Sequence, residues 1–310
     1  MDEFARIRKF FAPLAGEAGL ELKDDAAVLT PPPGRQLVLT ADQMLEGVHF
    51  ITGDDPAVIA RKLLRRNLSD LAAMGAVPLG YLLTTALPPC LPEDWLAGFA
   101  AGLAADQSEF GIALLGGDSS SSRTDIALTA SLVGHVAPGQ ALRRNGARAG
   151  DEIWVTGTIG DAVLGLEARR GRLADPTGFL TRRSMLPDPR VGLSLAGIAN
   201  AAIDISDGLV QDLGHICRAS AVAAVVQAGL VPVSPEAAAH GPGNVALRLT
   251  GGDDYELLLA VPAEKSEALQ AACAGLKITR IGVFQPGEGV EVLADNDTLL
   301  DLATPGWTHF

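Results

Sequence analysis

Aspartates recur in this chain beside glycines and hydroxyls, at Asp24-Asp25, Asp42, Asp70, Asp118, Asp204, Asp207 and Asp253-Asp254. Most of them stand where an apolar or small-residue run ends. Carboxylates gathered from several segments form the donor set of a hard divalent cation, and such cations hold phosphates. The anchor is Leu115-Gly116-Gly117-Asp118-Ser119-Ser120. Residues 111–115 before it read as a buried strand, so Asp118 is expected at a strand end, where open α/β sheets place ligands. Paired glycines let the backbone turn and approach a ligand closely. The same composition also makes an ordinary turn, so the recurrence carries the reading and no single copy does.

The other pieces differ in what they allow. Asp204-Ile205-Ser206-Asp207-Gly208-Leu209 places Asp204 and Ser206 on one face of a strand, with Asp207 as cap of the helix that follows, a junction suited to a cation and a phosphate. Gly251-Gly252-Asp253-Asp254-Tyr255-Glu256 precedes an apolar strand, in mirror order to the anchor. Asp24-Asp25 either enters a strand as a ligand pair or lies in a solvated turn. Asp70 has small and apolar neighbours on a helix; it either binds metal or pairs with Arg65 or Arg66. His49 follows the strand-end Asp42 in a loop, structural or functional. Arg143-Arg144 either reaches a phosphate or is a surface pair. Trp307, in the tail Pro305-Gly306-Trp307-Thr308-His309-Phe310, either docks on the core or offers its ring to a cation. Thr156-Gly157-Thr158-Ile159-Gly160-Asp161 is a glycine-hydroxyl loop, yet it matches neither the P-loop nor the dinucleotide fingerprint.

The elements that must hold these residues alternate between strand and helix. Phe4, Ile7, Phe11 and Leu14 predict a helix over 3–15. A strand over 36–41 leads to Asp42, and a helix starts at Asp55-Pro56 and stops at Gly75. Strand 80–87, helix 92–110 and strand 125–136 complete a first α/β domain, 1–139. The second, 140–310, holds a helical stretch over 161–200 broken at Pro187-Asp188-Pro189. A strand to Asp204, a helix from Leu209, strand 222–226, helix 262–274 and strands near 278–284 and 290–293 follow.

Bulk properties narrow the function. With 310 residues and 48% hydrophobic content the chain can build two cores, and its net charge of -13 argues against nucleic-acid or anionic-membrane partners. Phosphate substrates on so acidic a protein need cations. The three cysteines are isolated and read as buried thiols in a reducing cytoplasm. Met1-Asp2-Glu3-Phe4 lacks signal-peptide character, and the longest apolar stretch, 221–233, is too short to span a bilayer.

Taken together in order and spacing, Asp24-Asp25-Ala26-Ala27-Val28, Asn67-Leu68-Ser69-Asp70-Leu71-Ala72-Ala73-Met74-Gly75, Leu115-Gly116-Gly117-Asp118, the 204–209 stretch and 251–257 resemble the thiamine-monophosphate kinase family, of the aminoimidazole ribonucleotide synthetase and selenophosphate synthetase superfamily. The resemblance implies an α/β (α+β) fold, a homodimer whose N-terminal mixed sheets pair into a barrel, a C-terminal α/β sandwich, and an active site completed by the C-terminal domain. It implies ATP-dependent phosphorylation of thiamine monophosphate with several magnesium ions. Asp25, Thr40, Asp42, Asp70, Asp118, Asp204 and Asp207 stand where the family has magnesium ligands. Gly117, Asp118, Arg144 and Ser206 stand at its ATP contacts, and His49, Asp253 and Trp307 at its thiamine-phosphate contacts. The chain departs from the family pattern at Lys23 (usually Gly), Ala41 (usually a hydroxyl residue) and Asp253 (usually Glu). Selenophosphate synthetases carry a nucleophilic Cys or Sec near the N-terminus, and no cysteine lies there.

Overall fold

The structure is a computed structural model that describes residues 3–308. His309 and Phe310 of the tail, and Met1 and Asp2, lie outside the described residues. Contacts divide the chain into two compact units, one with the chain up to Leu71 and Ala76–Gly139, the other with Ala72–Gly75 and the chain from Gln140 on.

The first unit opens with α1 (Glu3–Arg6), which passes into a π-helical turn and a 3-10 turn ending at Leu14 rather than the continuous helix expected over 3–15. Pro13 lacks the N–H that a further helical turn needs. Beyond it Gly16 donates to the Leu114 carbonyl at 3.0 Å, which ties the segment to a sheet edge.

The sheet has the order β1-β4-β2-β3, formed by β1 (Gln36–Leu45), β2 (Val77–Leu87), β3 (Ala113–Ser121) and β4 (Ala127–Val136). β4 pairs antiparallel with β1 and β2, whereas β2 and β3 run parallel and need a crossover helix. That helix is α3 (Glu93–Phe110), stopped by Gly111 in left-handed geometry. α2 (Pro56–Ala73) begins where the Asp55 carboxylate accepts from Ala57 N at 2.9 Å. Leu71 of α2 lies over Gly134 of β4, where a Cβ would come within 3.2 Å of it. On this covered side Leu63, Leu68, Leu71, Phe99 and Leu103 are wholly buried. Leu37, Leu39 and Leu45 of β1 and Leu82 of β2 remain exposed.

Two expectations change here. β1 continues past Asp42 to Leu45, and β3 continues through Gly116, Gly117 and Asp118 to Ser121, so neither aspartate sits at a strand end. Register explains the glycines instead. Tyr81 pairs with Leu114 and Leu82 with Gly116, so Leu115 is an extra residue in the ladder. A Cβ on Gly117 would fall 1.8 Å from the Leu83 carbonyl, so only glycine fits beside β2. The strand expected after Asp24-Asp25 is absent; residues 24–26 form a bend and Val28 is exposed.

The second unit is a six-stranded sheet, β10-β7-β9-β5-β8-β6. Its strands are β5 (Glu152–Thr156), β6 (Ala201–Asp204), β7 (Ala223–Gln227), β8 (Leu257–Val261), β9 (Ile278–Gln285) and β10 (Gly289–Leu293). Its helices are α4 (Asp161–Arg169), α5 (Phe179–Met185), α6 (Leu209–Ser220), α7 (Pro235–Ala238), α8 (Val245–Thr250) and α9 (Ser266–Ala272). Alternation along the strands builds a core on each face. Ile153, Val155, Ile203, Leu258 and Ala260 join Leu209, Leu213 and Ile216 of α6 on one side. Trp154, Ala202, Leu257, Leu259 and Val261 join Leu269 of α9 and Leu195 on the other. The helical stretch expected over 161–200 shortens to α4 and α5, and residues 186–200 are irregular, as Pro187 and Pro189 require. Cys217 and Cys273 are buried free thiols as expected, but Cys90 is exposed in the turn after Pro88-Pro89.

Candidate functional site

In the first unit Thr40 meets Asp70, and Asp42 lies beside Arg66. Thr40 and Asp42 alternate with the exposed residues of β1, which turns them toward α2. Thr40 Oγ1 donates to Asp70 Oδ2 at 2.5 Å, and Arg66 Nε lies 3.6 Å from Asp42 Oδ2. Neighbouring arginines diverge because each helical residue turns about 100°. Arg65 is buried on the α3 side, where it donates to Asp106 at 2.9 and 3.1 Å and to Glu109 at 2.6 Å. Arg65 is thus engaged on the α3 side, while Asp70 accepts from Thr40 and Arg66 stands one helical turn before it.

Asp118 is not brought to that group. It pairs with Thr84, which pairs with Thr129, which pairs with Gln43, a row that crosses the whole sheet. Three strand spacings of ~4.8 Å place β3 roughly 14 Å from β1. Asp118 and Gly117 are exposed, and so are Asp24 and Asp25 in their bend. His49 lies in a loop that folds back on β1. Its Nδ1 accepts from Leu45 N at 3.0 Å, so the neutral ring carries its proton on Nε2 and presents a donor.

In the second unit residues 204–208 and 251–256 lie side by side. Asp204, buried, ends β6 opposite Leu257. The pairing continues as Tyr255 N donates to the Ile205 carbonyl at 2.8 Å and Asp253 N to the Ser206 carbonyl at 2.9 Å. Gly252 is required here, since a Cβ would meet the Ser206 carbonyl at 2.2 Å.

Asp207 does not cap α6. Asp212, inside the helix, does so by reaching back: its Oδ2 accepts from Ser206 N, Asp207 N and Gly208 N at 3.0, 3.0 and 3.1 Å. Burial pushes the Asp212 carboxyl up to about 7, and those amides pull against it. Gln211 Nε2 donates to Asp207 Oδ2 at 3.2 Å and to the Trp307 carbonyl at 2.6 Å. Trp307 N donates to the Asp207 carbonyl at 3.0 Å, and the tryptophan is 57% exposed. The tail is thus docked by its backbone, and the Trp307 residue stays largely exposed. Asp207, Asp212 and His215 also bring carboxylate oxygens and a ring nitrogen within 4.8 Å of one another. Arg144 is exposed, its backbone fixed by Ser220, whose Oγ donates to the Arg144 carbonyl and accepts from Gly146 N and Ala147 N.

The second acidic motif divides its duties. Asp253, at φ 70°, stands beside Ser206, and its Oδ1 accepts from Tyr255 Oη at 3.2 Å. Asp254 turns inward and accepts from Gly160 N at 2.7 Å and Ala162 N at 3.2 Å. The glycine-hydroxyl loop therefore turns its amides on a carboxyl group at the start of α4, and that group is the chain's own. Burial pushes Asp254 up to about 8. Glu256, also buried, accepts from Arg190 Nε at 2.6 Å and Nη2 at 2.5 Å, from Arg183 Nη2 at 3.0 Å and from Thr156 Oγ1 at 2.7 Å. Asp212, Gln211, Arg183 and Arg190 are the residues that sequence reasoning missed. Only Asp212 left a signal, an aspartate one turn into an otherwise apolar helix face.

This architecture matches two family models, the AIR synthase related protein N-terminal domain over residues 23–136 and its C-terminal domain over 148–295. The fold and acidic motifs therefore define a two-domain chain of the AIR synthase related class. Within it, the chain is 41% identical to the thiamine-monophosphate kinase of Caulobacter vibrioides, over 99% of this chain and 90% of that protein. A thiamine-monophosphate kinase structure from Stenotrophomonas maltophilia K279a superposes with a TM-score of 0.81 at 41% identity, covering 93% of each chain. AaThiL complexed with AMPPCP and TMP superposes with a TM-score of 0.80 at 30% identity, covering 99% of this chain and 97% of that one. The chain belongs to the thiamine-monophosphate kinase family. Among the described residues no helix is long and apolar enough to cross a membrane.

Proposed function

We propose that this kinase transfers the γ-phosphoryl group of ATP to thiamine monophosphate, forming thiamine diphosphate by direct in-line displacement with several magnesium ions. The observation that carries the reading is whole-length similarity to thiamine-monophosphate kinases, including one solved with AMPPCP and TMP. The donor set fits magnesium. Thr40 and Asp70 bring oxygens together in one unit, and Asp207 stands beside Ser206 in the other. Asp25, Thr40, Asp42, Asp70, Asp118, Asp204 and Asp207 are the proposed ligands.

A phosphate monoester with a second pKa near ~6 is largely dianionic at neutral pH, so the acceptor needs no base. The task left to the protein is alignment and charge neutralisation. Bound magnesium supplies the neutralisation on phosphate oxygens. Gly117 and Asp118 flank the nucleotide, Ser206 offers a hydroxyl and Arg144 a guanidinium to its phosphates. His49 donates Nε2–H to the acceptor phosphate, Asp253 orients the acceptor, and the Trp307 ring stacks on the cationic thiamine ring.

The exposed leucines of β1 and β2 support a homodimer through the open face of the first unit's sheet, and the free thiols suit a reducing cytoplasm. The test mixes purified protein with Mg-ATP and thiamine monophosphate and separates the products by chromatography. Thiamine diphosphate should form in step with ADP, and Asp207→Asn should abolish it. ADP with free phosphate and no thiamine diphosphate would defeat the reading.

A further inference from the structure

We infer that Gln211 is a positioning residue that ties Asp207 to the Trp307 substrate contact, an inference that rests on the proposed function. A glutamine amide has two N–H donors on one nitrogen. Here that nitrogen serves two groups at once, Asp207 Oδ2 at 3.2 Å and the Trp307 carbonyl at 2.6 Å. Trp307 N closes the ring on the Asp207 carbonyl at 3.0 Å. Asp207 lies just before α6 and Gln211 in its first turn, and the hydrogen bond joins them across the helix start.

The seat of the tail is built for this approach. A Cβ on Gly306 would fall 2.5 Å from Gln211 Cβ and 2.8 Å from the Asp207 carbonyl oxygen, so the tail reaches the helix only because residue 306 is glycine. These contacts fix the backbone of Trp307 and leave the residue 57% exposed. Gln211 thereby sets where the ring stands relative to the carboxylate proposed to bind metal. Removing its donors should loosen the acceptor's ring contact and leave nucleotide binding largely intact.

Gln211→Leu keeps the side chain's bulk and removes both donors. Losing the one neutral hydrogen bond that holds the Trp307 carbonyl corresponds to a rise of about fivefold in KM for thiamine monophosphate. KM for ATP and kcat should stay within about twofold, a split that a general structural defect would not produce. Gln211→Glu, an acceptor facing a carboxylate and a carbonyl, should raise KM for thiamine monophosphate further. Independently of activity, hydrogen exchange at the Trp307 amide should quicken about fivefold in Gln211→Leu, with an unchanged thermal midpoint. An active wild type beside variants with normal KM for thiamine monophosphate would overturn the inference, as would equal rises for both substrates. A wild type that makes no thiamine diphosphate would defeat the functional reading and this inference with it. Unaltered exchange at the Trp307 amide would overturn the inference alone.

Discussion

Replacing Asp212 by alanine removes the one acceptor shared by three consecutive amides. In the native chain its Oδ2 takes bonds from residues 206, 207 and 208 at 3.0 to 3.1 Å, on a side chain only 2% exposed. An interior amide left without a partner costs about 1–3 kcal/mol. Ser206 and Asp207 are half-buried, so water replaces the carboxylate there at small cost, whereas Gly208 is buried and bears the larger part. The sum for Asp212→Ala is about 2–4 kcal/mol. Asp212→Asn behaves differently, because its carbonyl accepts the same bonds and carries no charge to desolvate. Burial holds the native carboxyl at about 7, so at neutral pH it is already divided between protonated and ionised forms. The asparagine variant should therefore lie within about 1 kcal/mol of wild type. Urea unfolding at pH 7 followed by circular dichroism measures both, with hydrogen exchange at amides 206–208 as the local probe. An alanine variant within about 0.5 kcal/mol of wild type would contradict the role of Asp212 as shared acceptor, since that is the scatter of an ordinary surface change. So would an asparagine variant as damaged as alanine.

Gly157→Ala should cost about 3 kcal/mol or more, because φ is 61° and the new Cβ would lie 2.0 Å from Glu256 Oε1; a thermal-shift measurement checks it. Asp254→Asn should remove a pH dependence. The unfolded carboxyl releases its proton above ~4 and the folded one only near about 8, so the native contribution is complete at low pH and is lost as pH rises across that window. Relative to wild type the variant should gain stability from pH 5 to 8, read from urea midpoints at each pH. Leu39→Glu, at a position 70% exposed on the sheet face, should turn the proposed dimer into monomers in sedimentation velocity without unfolding the first unit.

Much of the fold was legible because local chemistry set it. Asp55-Pro56 and Gly75 bracket α2, and Pro92 and Gly111 bracket α3, each by a capping rule that needs no tertiary context. Asp42 and Asp118 misled because β1 and β3 are edge strands, where a carboxylate faces solvent or a helix and the ladder runs on. The loop over 156–161 matched no phosphate-binding fingerprint, and its amides serve Asp254, more than 90 residues away. The Arg183, Arg190 and Glu256 cluster was hidden for the same reason, since its partners are joined only by the folded sheet. The motif residues themselves stood out in the sequence. The side chains that hold them in place did not, because Asp212 and, at the tail, Gln211 meet backbone groups that any residue type supplies.

The central claim is transfer of one phosphoryl group from ATP to thiamine monophosphate. ATP labelled at the γ-phosphate tests it directly. The label should move to the terminal phosphate of thiamine diphosphate, one equivalent per ADP, and none should do so without thiamine monophosphate. Label recovered as free phosphate, with thiamine monophosphate unchanged, would contradict it.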